Sequence, residues 1–260
     1  MLTLSGRTCV FAGASGGDGV AGVRALLSQG MNVVMMTHMM KQAAKLKEEL
    51  DKEGYPGKVA IYCDPKTYDP PKTEEEVYEA IYNEFGSIDV IISNIGGPGH
   101  EDSIDSLSKE ELLRNVNHLV GGGYEMLKYS LPYLRKSSNP RVIFMTSFEA
   151  VKGGTLDSLS NSIAKGAVYS MMKNVAARLM KEGITVNCIV KGAIERRPDK
   201  GPGMPGMPKP KDPAEMLPFI PAGRLAKDTD LAQAICYLAS EEAAYVTGTA
   251  LDISGGLSLT

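Results

Sequence analysis

The chain has 260 residues, 43% of them hydrophobic and 23% charged, and a formal net charge of −3 at pH 7. That length suits one large domain or two small ones, and the composition is that of a soluble globular protein. The charge gives no reason to expect nucleic acid as a partner, no apolar run approaches the roughly twenty residues a membrane-spanning helix needs, and the histidines and cysteines share no metal-ligand spacing.

The first residues, MLTLSGRTCVFAGASG, run straight into a strand-like segment without the charged and apolar regions of a signal peptide. Cys9, Cys63, Cys188 and Cys236 are far apart and read as buried thiols, so a cytoplasmic location is expected. The apolar run RTCVFAG ends in glycine, and GVAGVRALLSQG follows with helical spacing. MNVVMM is a second buried strand and MKQAAKLKEELDKEG a charged amphipathic helix closed by Gly54. KVAIYCD is the third strand. TEEEVYEAIYNEFG is a helix with Thr73 as its cap and acids in its first turn, burying Val77, Ile81 and Phe85.

Next come IDVIISN, a long helical region through about Arg135, RVIFMTS, a helix containing Lys165, ITVNCIV, a helix near DLAQAICYLAS, and GTALDISGG as a last strand. Continuous apolar strands separated by helices predict a parallel sheet covered on both faces. The expected fold is α/β: a single doubly wound Rossmann-type domain over 1–260, with about seven parallel strands and helices on both faces. One segment, 195–221, is too rich in proline and glycine for a regular core element. It is either a surface excursion or, as long irregular loops in compact domains often are, a substrate lid.

The loop AGASGGDG joins the first strand to the first helix and places Gly13, Gly17 and Gly19 as G-x-x-x-G-x-G. Backbone there can turn tightly against a pyrophosphate, and the helix that follows turns its positive end toward the anion. The motif's position between strand and helix is the context that gives it meaning. Ser15 lies within the same loop.

From this loop onward the chain resembles the short-chain dehydrogenase/reductase family over nearly its whole length. SNIG, with Asn94 and Gly96, is similar to the family's N-N-A-G, with Ser93 and Ile95 substituted. Asn117 in NVNHLVGG matches its helix asparagine, Ser147 at the end of VIFMTS its catalytic serine, and Lys165 in AKGAV its lysine. GRLAKDTDLAQAICYLASEEAAYVTGTALDISGG is similar to the carboxy-terminal stretch of ketoacyl-reductase-like members.

The resemblance implies a nicotinamide cofactor. A carboxylate at the end of the second strand would bind a ribose 2′-hydroxyl and repel a 2′-phosphate. Thr37 and His38 stand there instead, so NADP(H) is favoured over NAD(H). By resemblance Asp64 meets the adenine amino group, while Gly192 and Ile194 follow the sixth strand at the nicotinamide. Lys191 replaces a family proline beside that ring; it either points to solvent or brings an ammonium to the nicotinamide or substrate.

In the family a tyrosine one helical turn before the lysine passes a proton to the substrate oxygen, which a serine also binds. Here Asn161 takes that tyrosine's position. An amide can donate a hydrogen bond but has no proton to titrate near neutral pH. His100 and Glu149 are nominated as substitute donors, each against the reading of a solvated loop residue.

Three functions remain open at this point. The first is an atypical NADP(H)-dependent oxidoreductase that reduces a carbonyl or a conjugated enone or enoyl substrate with a non-standard proton donor. The second is a catalytically inactive nucleotide-binding subunit or sensor, and the third a non-redox elimination or dehalogenase-type enzyme on the same scaffold. The substrate is expected to be a small molecule, apolar or carrier-linked, with Arg196, Arg197, Lys200, Lys209 and Lys211 of the lid available to a phosphorylated carrier or merely solvated. No nucleic acid, membrane or metal is expected. By resemblance the chain forms a homodimer or homotetramer through helices around 117–136 and 159–181.

Overall fold

The computed structural model describes residues 2–63, 68, 70–96, 103–153, 158–195 and 212–260. The strands are β1 (Thr8–Ala12), β2 (Asn32–Thr37), β3 (Val59–Cys63), β4 (Val90–Ser93), β5 (Arg141–Ser147), β6 (Thr185–Lys191) and β7 (Ala250–Ile253). All pair in parallel, in the order β3-β2-β1-β4-β5-β6-β7. The helices between them are α1 (Gly19–Ser28), α2 (Met40–Glu53), α3 (Glu74–Phe85), α4 (Lys109–Val116), α5 (Gly122–Leu134), α6 (Leu159–Leu179) and α7 (Asp228–Ala239). The seven-stranded doubly wound sheet expected from the apolar runs is the fold observed.

Alternation of side chains along each strand divides the core in two. Cys9, Phe11, Val33, Met35, Val90, Ile92, Ile143 and Met145 face one layer, where α1, α2 and α7 supply Val23, Leu26, Leu46, Leu50, Leu231 and Ile235. Val10, Val34, Ile91, Val142 and Phe144 face the other, against Val77 and Ile81 of α3, Met126 and Leu127 of α5, and Val168 and Met172 of α6. Thr73 caps α3 in a reciprocal capping box with Glu76, as its position predicts.

The long helical region is not one helix. Between α4 and α5 the residues Asn117–Gly121 form a π-turn, a local widening by one residue that occurs often at functional sites. The sequence carries no periodic signal for it. Of the segment 195–221, only its two ends lie within the described residues. Pro213–Phe219 form a short 3-10 helix, after which Ile220 is buried.

Because every strand is parallel, all seven carboxyl ends open on the same side. The strand order reverses between β1 and β4, and there the loops leaving adjacent strands diverge into a cleft, the usual ligand position in such sheets.

Candidate active site

The glycine loop after β1 forms one wall of this cleft. Gly13 has φ +75°, and a Cβ there would stand 2.2 Å from the carbonyl oxygen of Asn94; a Cβ on Gly19 would stand 2.4 Å from the carbonyl of Gly13. Only glycine allows backbone to pass this closely. At the outer side of the loop a Cβ on Gly16 would meet nothing within 4 Å. A tight turn, open on one side and leading into the amino end of a ten-residue helix, fits a pyrophosphate. In the dinucleotide reading, Gly13, Gly17 and Gly19 hold the phosphates.

At the end of β2, Thr37 Oγ1 accepts from the Met39 amide at 2.9 Å and lies 3.4 Å from Ser15 Oγ, while Gln42 Nε2 donates to the Ser15 carbonyl at 2.8 Å. These contacts fix the loop against the second strand. His38 is exposed beside them. Asp64 and His100, both expected at this cleft, lie outside the described residues.

The floor of the cleft holds a buried lysine. Ser158 caps α6 by accepting from the Asn161 amide at 3.1 Å, which puts Asn161 in the first turn and Lys165 one turn further. Lys165 is 5% exposed and reaches across to the ends of β4 and β5, donating to the carbonyls of Ile95 at 3.1 Å and Met145 at 3.4 Å. Burial pushes its ammonium down to about 7; the nearby charge of Lys191 adds to the shift, and the carboxylates of Asp18 and Glu149 oppose it.

Around the Asn161 amide the polar side chains converge. Glu149 lies in a single 3-10 turn, Phe148–Ala150, that follows β5 directly. Its Oε2 accepts from Ser147 Oγ at 2.9 Å and from Asn161 Nδ2 at 2.9 Å. Ser147 and Asn161 are thus brought together as the motif order predicts, with a carboxylate between them. The buried Oδ1 of Asn161 has no hydrogen-bond partner among the described residues.

Lys191, at the end of β6, does not point to solvent. Its Nζ stands 2.6 Å from Asp18 Oδ2 and 3.0 Å from Asn94 Oδ1, and Asn94 Nδ2 donates back to Asp18 Oδ1 at 3.3 Å. Gly192 follows, packed so that a Cβ would stand 2.6 Å from Ser254 Cα, and Ile194 pairs with Ala226. Gly96 is exposed, with His118 Nε2 3.0 Å from its carbonyl.

Of the expected catalytic residues Asn117 is the exposed one. It opens the π-turn and its side chain is exposed, whereas Asn115, two residues earlier, is 4% exposed and donates to Ser160 Oγ at 3.2 Å. Two residues in the site were missed in the sequence. Asn115 gave no separate signal, since a single sequence does not tell which of two asparagines faces inward. Asp18 did give one, as a carboxylate inside a loop otherwise made of glycine, alanine and serine.

Among the described residues no group of three His, Cys, Asp or Glu side chains could hold a metal ion, and no helix is long and apolar enough to cross a membrane.

Residues 13–258 match the family described as enoyl-(acyl carrier protein) reductase. The chain is 30% identical over 261 residues to the 3-oxoacyl-[acyl-carrier-protein] reductase of Thermotoga maritima, covering 98% of this chain and 99% of that one. It is also 30% identical over 260 residues to dehydrogenase/reductase SDR family member 6 of Aquarana catesbeiana, covering both chains fully at 100%. Among solved structures, levodione reductase superposes with a TM-score of 0.84 at 21% identity over 99% of each chain, which speaks to the fold.

Proposed function

The chain belongs to the short-chain dehydrogenase/reductase family, and from that premise we propose that it is an NADP(H)-dependent reductase of a carbonyl or a conjugated enoyl substrate in which Glu149 replaces the family's tyrosine as proton donor. The observation that carries this is the shared acceptor: Glu149 Oε2 takes hydrogen bonds from both Ser147 and Asn161 at 2.9 Å. The lack of a carboxylate at Thr37 and His38 favours a 2′-phosphate. Relatives named for 3-oxoacyl and enoyl carrier-protein reduction favour an acyl substrate on a phosphorylated carrier.

When bound, the reduced nicotinamide supplies the hydride. A substrate oxygen entering beside Ser147 Oγ and Asn161 Nδ2 accepts from both donors, which turn to it from Glu149 Oε2 while the glutamate stays within reach of the same oxygen. The Glu149 carboxyl, protonated from solvent, gives its proton to that oxygen as negative charge develops there, and solvent protonates the carboxylate again. Lys165 supports the same oxygen electrostatically. Assembly as a homodimer or homotetramer through α5 and α6, where Tyr124 and Ile163 are exposed, belongs to the same proposal.

NADPH consumption over a panel of ketones, enones and acyl thioesters tests it. Glu149→Gln is expected to lower kcat by about 10²–10⁴, the range for loss of a positioned acid, with the NADPH Kd unchanged. Undiminished turnover in that variant would sink the role of Glu149. NADPH binding with no turnover of any substrate would favour an inactive nucleotide-binding subunit, the reading that the missing phenol at Asn161 supports.

A further inference from the structure

Asp18 is the N-cap residue of α1, a position at which an aspartate normally turns its carboxylate onto the first-turn amides. Here it makes no side-chain cap hydrogen bond. Its carboxylate turns instead to Lys191 Nζ at 2.6 Å and Asn94 Nδ2 at 3.3 Å, and Lys191 closes the ring on Asn94 Oδ1 at 3.0 Å. The pair is well shielded, with both side chains 17% exposed. Lys191 comes from β6, at the far side of β5 from the loop it holds.

The amino end of α1 is where the glycine loop would place a pyrophosphate. A carboxylate at that point is a charge of the wrong sign: it would compete with the ligand for the helix amides and repel its phosphates. The ring answers both problems, since it draws the carboxylate off the helix end and cancels its charge at contact distance.

We propose that Lys191 is a positioning residue for dinucleotide binding, which holds the Asp18 carboxylate away from the amino end of α1 so that the pyrophosphate meets helix amides rather than a negative charge. The inference rests on the dinucleotide-binding reading above and adds the pair that makes this loop usable. It also accounts for a lysine beside the nicotinamide site without giving it a part in the chemistry. Asn94 orients the pair by donating to one partner and accepting from the other.

The test is the Kd for NADPH, followed by fluorescence, in the full-length protein and in Lys191→Met, Asp18→Asn and the double variant. Lys191→Met is expected to bind roughly 10- to 100-fold more weakly, the scale set by an uncompensated charge several ångströms from a phosphate at an effective dielectric constant near 20. Asp18→Asn should bind no more weakly than the parent, and the double variant should return to within about threefold of it. Adenosine, which carries no phosphate, should bind all four proteins alike. Should Lys191→Met fail to fold, Lys191→Gln removes the charge while keeping a donor to Asn94.

Unchanged or tighter binding by Lys191→Met would overturn the proposal, tighter binding meaning that the ring bars the cleft. A double variant as weak as Lys191→Met, or an equal loss for adenosine and NADPH, would reduce the ring to a structural brace and overturn it as well. If the parent protein binds neither NADPH nor NADH, the dinucleotide reading falls and takes this inference with it. The variant results overturn this inference alone.

Discussion

The two ends of the sheet both bury charge, and they neutralise it differently. At the amino ends, Arg141 at the start of β5 donates to the carbonyls of Ser240 at 2.9 Å and Pro140 at 3.0 Å, and Arg7 donates to those of Ala239 at 2.7 Å and Asn139. Asp89 accepts from the Thr8 amide at 2.8 Å and from the hydroxyls of Ser87 at 2.6 Å and Ser137 at 2.5 Å. At the carboxyl ends Lys165 also holds backbone carbonyls, but the charges nearer the opening of the cleft pair with side chains: Lys191 with Asp18 and Asn94, Glu149 with Ser147 and Asn161. Backbone carbonyls cannot leave unless the end of α7 or the turn before β5 moves, whereas a side-chain partner needs only a change of rotamer. One end is therefore a clamp, and the other is a set of contacts a ligand can exchange. β5 runs from one to the other, with Arg141 as its first residue and Ser147 as its last.

This contrast can be broken or sharpened by mutation. The largest effect is expected from Arg141→Met. Burial pushes this guanidinium down to about 10, yet it stays charged at neutral pH, and its loss would strand two buried carbonyls. A loss of about 2–5 kcal/mol in unfolding free energy is expected, the scale for two buried carbonyls left unsatisfied at about 1–3 kcal/mol each, with the NADPH Kd unchanged in the folded fraction. Denaturant titration would measure it, and a loss under 1 kcal/mol would mean the amino end is no clamp.

Lys165→Met comes next, through pH. Lys165 has its folded pKa lowered from 10.5 to about 7, so between those values the unfolded chain binds a proton that the folded chain does not. Stability from this group therefore rises with pH across that window, and the penalty for burying its charge is fully present only below it. Relative to Lys165→Met, the parent should gain on the order of 2 kcal/mol between pH 7 and pH 9. Parallel stability curves for the two proteins would show that Lys165 is charged throughout.

The smallest effect is expected from Ser158→Ala, which removes the cap of α6 and should cost about 1 kcal/mol. Because the capped turn carries Asn161, turnover should fall along with the melting temperature. A fall in melting temperature alone would separate the cap from the site.

The fold was legible because most strands are nearly continuous apolar runs and most helices carry a cap or a period. The glycine loop was legible by its place between strand and helix, and Ser147 and Lys165 by their order. The pairing of Asp18 with Lys191 was not, since the two stand 173 positions apart and what marks each alone does not point to the other. Arg7, Asp89 and Arg141 went unread for a related reason: their partners are largely backbone carbonyls and amides, which every sequence has. Glu149 was nominated, but its joint hold on Ser147 and Asn161 needed the 3-10 turn after β5 to be seen.

The π-turn at Asn117–Gly121 has a consequence for how the long helical region is indexed. A regular helix advances about 100° per residue, so one extra residue lets the faces before and after it be set independently. α4 then aligns with α6, placing Asn115 on Ser160, while α5 aligns with the sheet, placing Gly123 beside Ser93 and Phe144. A gene one codon shorter at this point would have to satisfy both partners with a single phase, and swinging α4 by about 100° would turn Asn115 away from the helix that carries Lys165.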